Sequence, residues 1–366
     1  MSEVLVKKGA IHVYRIFDIA EEINMSKVEQ LLRDSRGPDR FMVPRYIDRA
    51  IIVKSLPVSF HIGEVTLSLK TGSYKADVLV KVRDYGVLSI IYQIQVAAGT
   101  EWSELIRIAA SLEEGTEIDQ LAAQQAKEVK EALLPALKQP NDWKVFEDYI
   151  IYFLQELSEP NVDELLKRAD IPSLLLAEDD TVISAKTRDL ILENIHRYSE
   201  SDCAIVEWNS AFVLEPKGSH EIPDILEFAL THLLEMRYYD ELLDNRLGIL
   251  YDEIEHSKGR PLRGSFAQTY QDASSRYIEF CEFIERVENS LKVVGDFYLA
   301  TVYRSANRRF RLSDWQQNIT RKMNILAQVS SLLQGEVNMR RSHLLEITVV
   351  LMIAFEIISA VLHWFH

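Results

Sequence analysis

Hydrophobic and polar positions divide the chain into a first part of short β-branched runs and a second part of long helical repeats. The runs at 11–17 (IHVYRIF), 50–56 (AIIVKSL), 64–70 (EVTLSLK), 76–82 (ADVLVKV) and 88–96 (LSIIYQIQV) have the length and residue types of strands, with Gly72 and Gly86 at the turns between them. Helical spacing appears at 25–35, 102–114 and 118–138, followed by strand-like stretches at 148–157 and 203–215. The pattern predicts an α+β amino-terminal domain over residues 1–215, with a largely antiparallel sheet.

Beyond residue 220 the period changes. Pro223 suits an early helical position. Leu226, Leu230 and Leu233, then Leu243, Leu247, Leu250 and Ile254, alternate steps of four and three as a coiled-coil seam does. SKGRPLRG breaks the repeat, which resumes without interruption from Phe266 through Tyr277, Ile284 and Leu291 to Tyr298. Ser313 and Gln316 have capping-box spacing, and Ile319, Met323, Leu326, Leu333 and Val337 continue the repeat. Residues 220–340 therefore read as a helical coiled-coil stalk.

The chain ends in RRSHLLEITVVLMIAFEIISAVLHWFH. Residues 344–365 would make a helix of roughly 33 Å, enough for a hydrocarbon core of about 30 Å. Glu346 lies near one end and Glu356 near the middle, where an ionised group costs roughly 2.5–3.5 kcal/mol against about 0.3–0.6 returned by each Leu, Ile, Phe or Val. Arg340 and Arg341 on one side and Trp364 on the other resemble interfacial anchors. The expectation is one carboxy-terminal transmembrane helix.

Charge adds a contrast: the net charge is −15, yet residues 296–343 are basic, with Arg304, Arg308, Arg309 and Arg311 clustered. Such a stretch suits anionic headgroups or phosphate, while the acidic remainder disfavours general nucleic-acid binding. The first residues carry no signal peptide, so the body is expected in the cytoplasm. Two widely spaced cysteines, Cys203 and Cys281, fit neither a metal nor a redox motif.

Candidate chemistry is sparse. GRPLRGS (259–265) has phosphate-loop glycine spacing, but Ser265 stands where lysine is required. The nine histidines form no ligand cluster, and no serine lies in a nucleophile elbow. No catalytic, cofactor-binding or metal residue is predicted, and the chain is not expected to be an enzyme.

Residues 295–326 (GDFYLATVYRSANRRFRLSDWQQNITRKMNIL), 326–337 (LAQVSSLLQGEV) and 343–361 (HLLEITVVLMIAFEIISAV), with Glu346 and Glu356 ten residues apart, resemble the Rmd family, named for "required for meiotic nuclear division". Residues 221–247 are similar to its bacterial members, and DYGVLSI (84–90) resembles its aspartate-aromatic-glycine strand. The resemblance implies a protein anchored by its final helix that assembles into large oligomers, with mitochondrial relatives linked to translation at the inner membrane. It implies no catalytic residues. Without a mitochondrial presequence, the expected location is a bacterial inner membrane, single-pass, with the amino-terminal domain cytoplasmic. The expected function is a membrane-anchored oligomeric scaffold with a protein or ribosome partner. The alternatives are a membrane-tethered RNA or ribosome binder and an enzyme in the amino-terminal domain.

Overall fold

The computed structural model describes residues 3–36, 57–256, 274–275, 277–278, 281–282, 284–285 and 297–364. The strand expected at 50–56 and most of the seam from Phe266 to Leu291 lie outside them. The chain forms two compact units, one of Met1–Glu235 with Phe283–Ser313, the other of Met236–Glu282 with Asp314–His366.

The first unit is built on a nine-stranded sheet in the order β3-β4-β5-β1-β8-β11-β10-β9, with β6 pairing β1 off this path. The strands are β1 (Leu5–Asp18), β3 (Val58–Leu69), β4 (Gly72–Val82), β5 (Val87–Gln95), β6 (Thr100–Glu101), β8 (Phe146–Leu157), β9 (Ile195–His196), β10 (Cys203–Val206) and β11 (Ser210–Leu214). Every pairing in it is antiparallel except β8 with β11. Strand β1 lies between β5 and β8 and is buried almost continuously and not at alternate positions, as a strand covered on both faces is. A small sheet pairs β2 (Ala20–Ile23) with β7 (Leu137–Pro140).

Directly paired residues share a face, so the registers separate two surfaces. One carries rows such as Ala76, Ile94, Ile11 and Tyr152, and packs in the apolar core with α2 (Trp102–Glu113) and α3 (Glu117–Leu133). The helix expected over 118–138 is shorter than its apolar repeat, because Pro135 removes a donor and the chain passes through a 3-10 turn into β7. The opposite face carries Ser59, Lys81, Ser89, Ile16 and Glu147 in one row, and Leu79, Ile91, Tyr14 and Tyr149 in the next.

Helix α7 (Glu221–His256) begins in this unit, and Ile225–Met236 are buried without a break. Leu226, Leu230 and Leu233 are thus part of a helix enclosed on all sides, not of a two-helix seam. Helix α8 (Phe297–Arg309; α1 to α6 precede α7) ends where Arg311 adopts φ 55°, a left-handed conformation that stops a helix. Helix α9 (Leu312–Trp364) follows, starting one residue before Ser313. In the second unit Leu243, Leu247 and Leu250 of α7 are buried, as are Ile319, Met323 and Leu326 of α9. Lys322 bridges Asp240 at 2.7 Å and Asp244 at 2.6 Å.

The expected transmembrane helix at 344–365 is corrected: among the described residues no helix is long and apolar enough to cross a membrane. Glu346 and Glu356 both interrupt the apolar run of this part of α9. The tail-anchored, single-pass arrangement and the bacterial inner-membrane location rested on that span and go with it. The architecture is an α+β amino-terminal region with a large sheet, followed by helices.

Candidate functional site

The distal part of α9 is unusual for its surface. Leu345, Ile347, Val349, Val350, Leu351, Met352, Ile353, Phe355, Ile357 and Ile358 are all exposed, by 52 to 73%. Five of them are consecutive, and at about 100° per residue they encircle the axis. Of the residues predicted here, Glu346 is exposed and pairs with His343 one turn earlier at 3.3 Å, and Glu356 is exposed. Arg340, Arg341 and Trp364 belong to the helix, and their side chains lie outside the described residues.

The predicted basic cluster is divided by the fold. Arg304 and Arg308, one turn apart on α8, are exposed, and Arg311 is exposed in the turn after it. Arg309 points elsewhere: its guanidinium is 2.6 Å from Glu207 and donates to the Leu190 carbonyl at 3.3 Å. Burial raises the Glu207 pKa, and Arg309 opposes that rise.

A buried ionic cluster, which the sequence pattern did not show, joins α7 to the polar face of the sheet. Lys81 Nζ donates to Asp224 Oδ1 at 2.6 Å and to Glu227 Oε2 at 2.7 Å, and Arg83 reaches Glu227 Oε1 at 3.6 Å. Burial works against the Lys81 charge, but Asp224 and Glu227 overcome it and raise the pKa. Burial likewise opposes ionised Glu227, yet Lys81 and Arg83 hold its pKa below the usual value. Arg83 also lies 5.6 Å from the centre of the Phe228 ring.

The turn carrying Arg83 presents Tyr85, whose hydroxyl is 2.8 Å from Thr231 Oγ1. Further along, His232 Nδ1 is 2.8 Å from the Tyr303 hydroxyl, tying α7 to α8. His12 stacks on Phe153 and His220 at centroid distances of 5.5 and 5.6 Å. Burial, then the charges of His220 and Lys81, lower its pKa to about 3, so it is neutral. Asp224, Glu227 and Thr231 repeat at helical spacing, which is the one trace of this cluster in the sequence.

Two cations matched to two carboxylates inside the protein form a clamp between helix and sheet. A cleft of about 400 Å³ lies elsewhere, beside Lys70, Ser111, Glu114 and Glu117, and holds no histidine or cysteine. Lys70 there is ion-paired with Glu114. Among the described residues no group of three or more His, Cys, Asp or Glu is placed to hold a metal ion.

Comparison with known proteins bears on the sheet-bearing part. A family model described as "Uncharacterized protein MJ0711, N-terminal domain" matches residues 8–221. The chain is similar to the uncharacterized protein MJ0711 of Methanocaldococcus jannaschii, 26% identical over 242 residues, which is 64% of this chain and 73% of that protein. No solved structure matches.

Proposed function

The chain belongs to the family of the uncharacterized MJ0711 N-terminal domain, and on that premise we propose that it is a homo-oligomeric scaffold, assembled through the distal part of α9. The family match covers the sheet. The Rmd resemblance rests chiefly on residues 295–361, and kinship with that family belongs to the same proposal.

The observation that carries the reading is the ring of exposed apolar side chains from Leu345 to Ile358. An apolar surface of that extent marks an interaction site. Fully burying such a side chain stabilises by roughly 1.5–3 kcal/mol, and since these are already partly covered, burying about half of them on both of two chains gives a gain of the same order as an association cost of roughly 4–15 kcal/mol. A single flat partner covers one side of a helix. Several copies of the same helix cover all sides, each serving as ligand and receptor at once.

The test compares native mass for the full chain and for Val350→Lys and Phe355→Lys, with Val182→Lys as control. Val182 is 93% exposed and belongs to the first unit, so its substitution is expected to leave the mass unchanged. The α9 variants are expected to shift to smaller species while keeping their far-ultraviolet spectrum. Oligomers of unchanged size in both α9 variants would overturn the proposal.

A further inference from the structure

Three aromatic side chains of the first unit are strongly exposed among the described residues: Tyr198 at 73%, Trp208 at 51% and Phe297 at 81%. All three border α8. Phe297 opens the helix, Tyr198 packs on Tyr298 with centroids 5.7 Å apart, and Trp208 meets Phe310 edge-on at 6.4 Å just past its end.

Between these rings the exposed Arg304 and Arg308 stand four residues apart, with Cβ atoms about 5–6 Å apart. The Arg304 guanidinium lies 5.8 Å from the Phe297 ring centre and donates to the Ala300 carbonyl at 3.1 Å, which holds it along the helix surface. Arg309 is committed to Glu207 and takes no part.

We propose that this face of α8 binds single-stranded nucleic acid, with Arg304 and Arg308 on phosphates and with Phe297 and Tyr198 stacking on bases. Sequence-tolerant binding of single strands combines these two elements, rings open to solvent and cations along the backbone path. Protein interfaces instead centre on a densely packed apolar patch, whereas the exposed rings here stand beside exposed arginines. The net charge of −15 disfavours polyanion binding in general, so the interaction depends on the exposed Arg304 and Arg308. The inference goes beyond the scaffold reading and does not depend on it.

Fluorescence anisotropy of a labelled oligouridine with the full chain tests it. The expected result is binding that weakens with salt, with a log–log slope of about −1.4 for two phosphates on a single strand. Arg304→Glu with Arg308→Glu should abolish it. Phe297→Ala and Tyr198→Ala should each weaken it on the order of fivefold or more. Lys75→Glu, on exposed β4 surface, should leave it unchanged. Phe355→Lys should bind as the parent does, which separates this result from failure of the assembly proposal. No binding at low salt, ring variants that bind like the parent, or displacement by polyglutamate as effective as by unlabelled RNA would overturn the proposal, the last marking an acidic-protein site.

Discussion

Gly86 has φ +96°, and a Cβ added there would lie 1.6 Å from the Ala20 carbonyl oxygen. Both the conformation and the space exclude a side chain, and Ile19 N donates to Gly86 O at 3.0 Å across the same approach. Gly86→Ala should cost about 3 kcal/mol or more in urea unfolding. The ionic cluster gives a second prediction. Lys81→Met leaves Arg83 facing two carboxylates and should cost about 3–5 kcal/mol. Lys81→Met with Asp224→Leu restores one cation to one carboxylate, and at least half of that loss should return in the same measurement. Asp18 gives a third. Burial raises its pKa to about 7 from 3.8, against the Asn141 amide that donates to it at 2.8 Å. The folded state therefore holds an extra proton between about pH 4 and pH 7, and stability falls as pH rises through that window. Asp18→Asn should melt above the parent at about pH 8 and together with it near pH 4.

At the scale of elements, the strands were legible because β-branched runs such as ADVLVKV have few alternatives to a sheet. The helix ending at Pro135 shows a local rule overriding an apolar repeat that continued past it. The leucines of α7 misled for a different reason. Spacing of four and three reports one apolar stripe, but it says nothing about Asp224, Glu227 and Thr231 on the neighbouring face. Those residues enter the interior because Lys81 of β4 and Arg83 and Tyr85 of the turn after it meet them from some 140 positions earlier. Pairings of that separation leave little mark on local pattern. For α9 the apolar run was read as a membrane span, which is overturned: among the described residues no helix is long and apolar enough to cross a membrane, and the side chains described from Leu345 to Ile358 are exposed. Glu356→Leu gives a prediction here: removing a carboxylate that a helix bundle would have to bury should strengthen assembly, raising the denaturant needed to separate the copies.

For the whole molecule, the two units differ in what their described residues present. The first holds a sheet with one face in the apolar core and matched charges on the other. The second holds the end of α9 with its uncovered apolar side chains. The assembly proposed through these side chains is tested by how many copies come together. Sedimentation equilibrium of the unmodified full chain at low-micromolar concentration measures this without substitutions. The expected result is a defined multiple of the 42.2 kDa chain mass. A mass of 42.2 kDa that holds as the concentration is raised would contradict it.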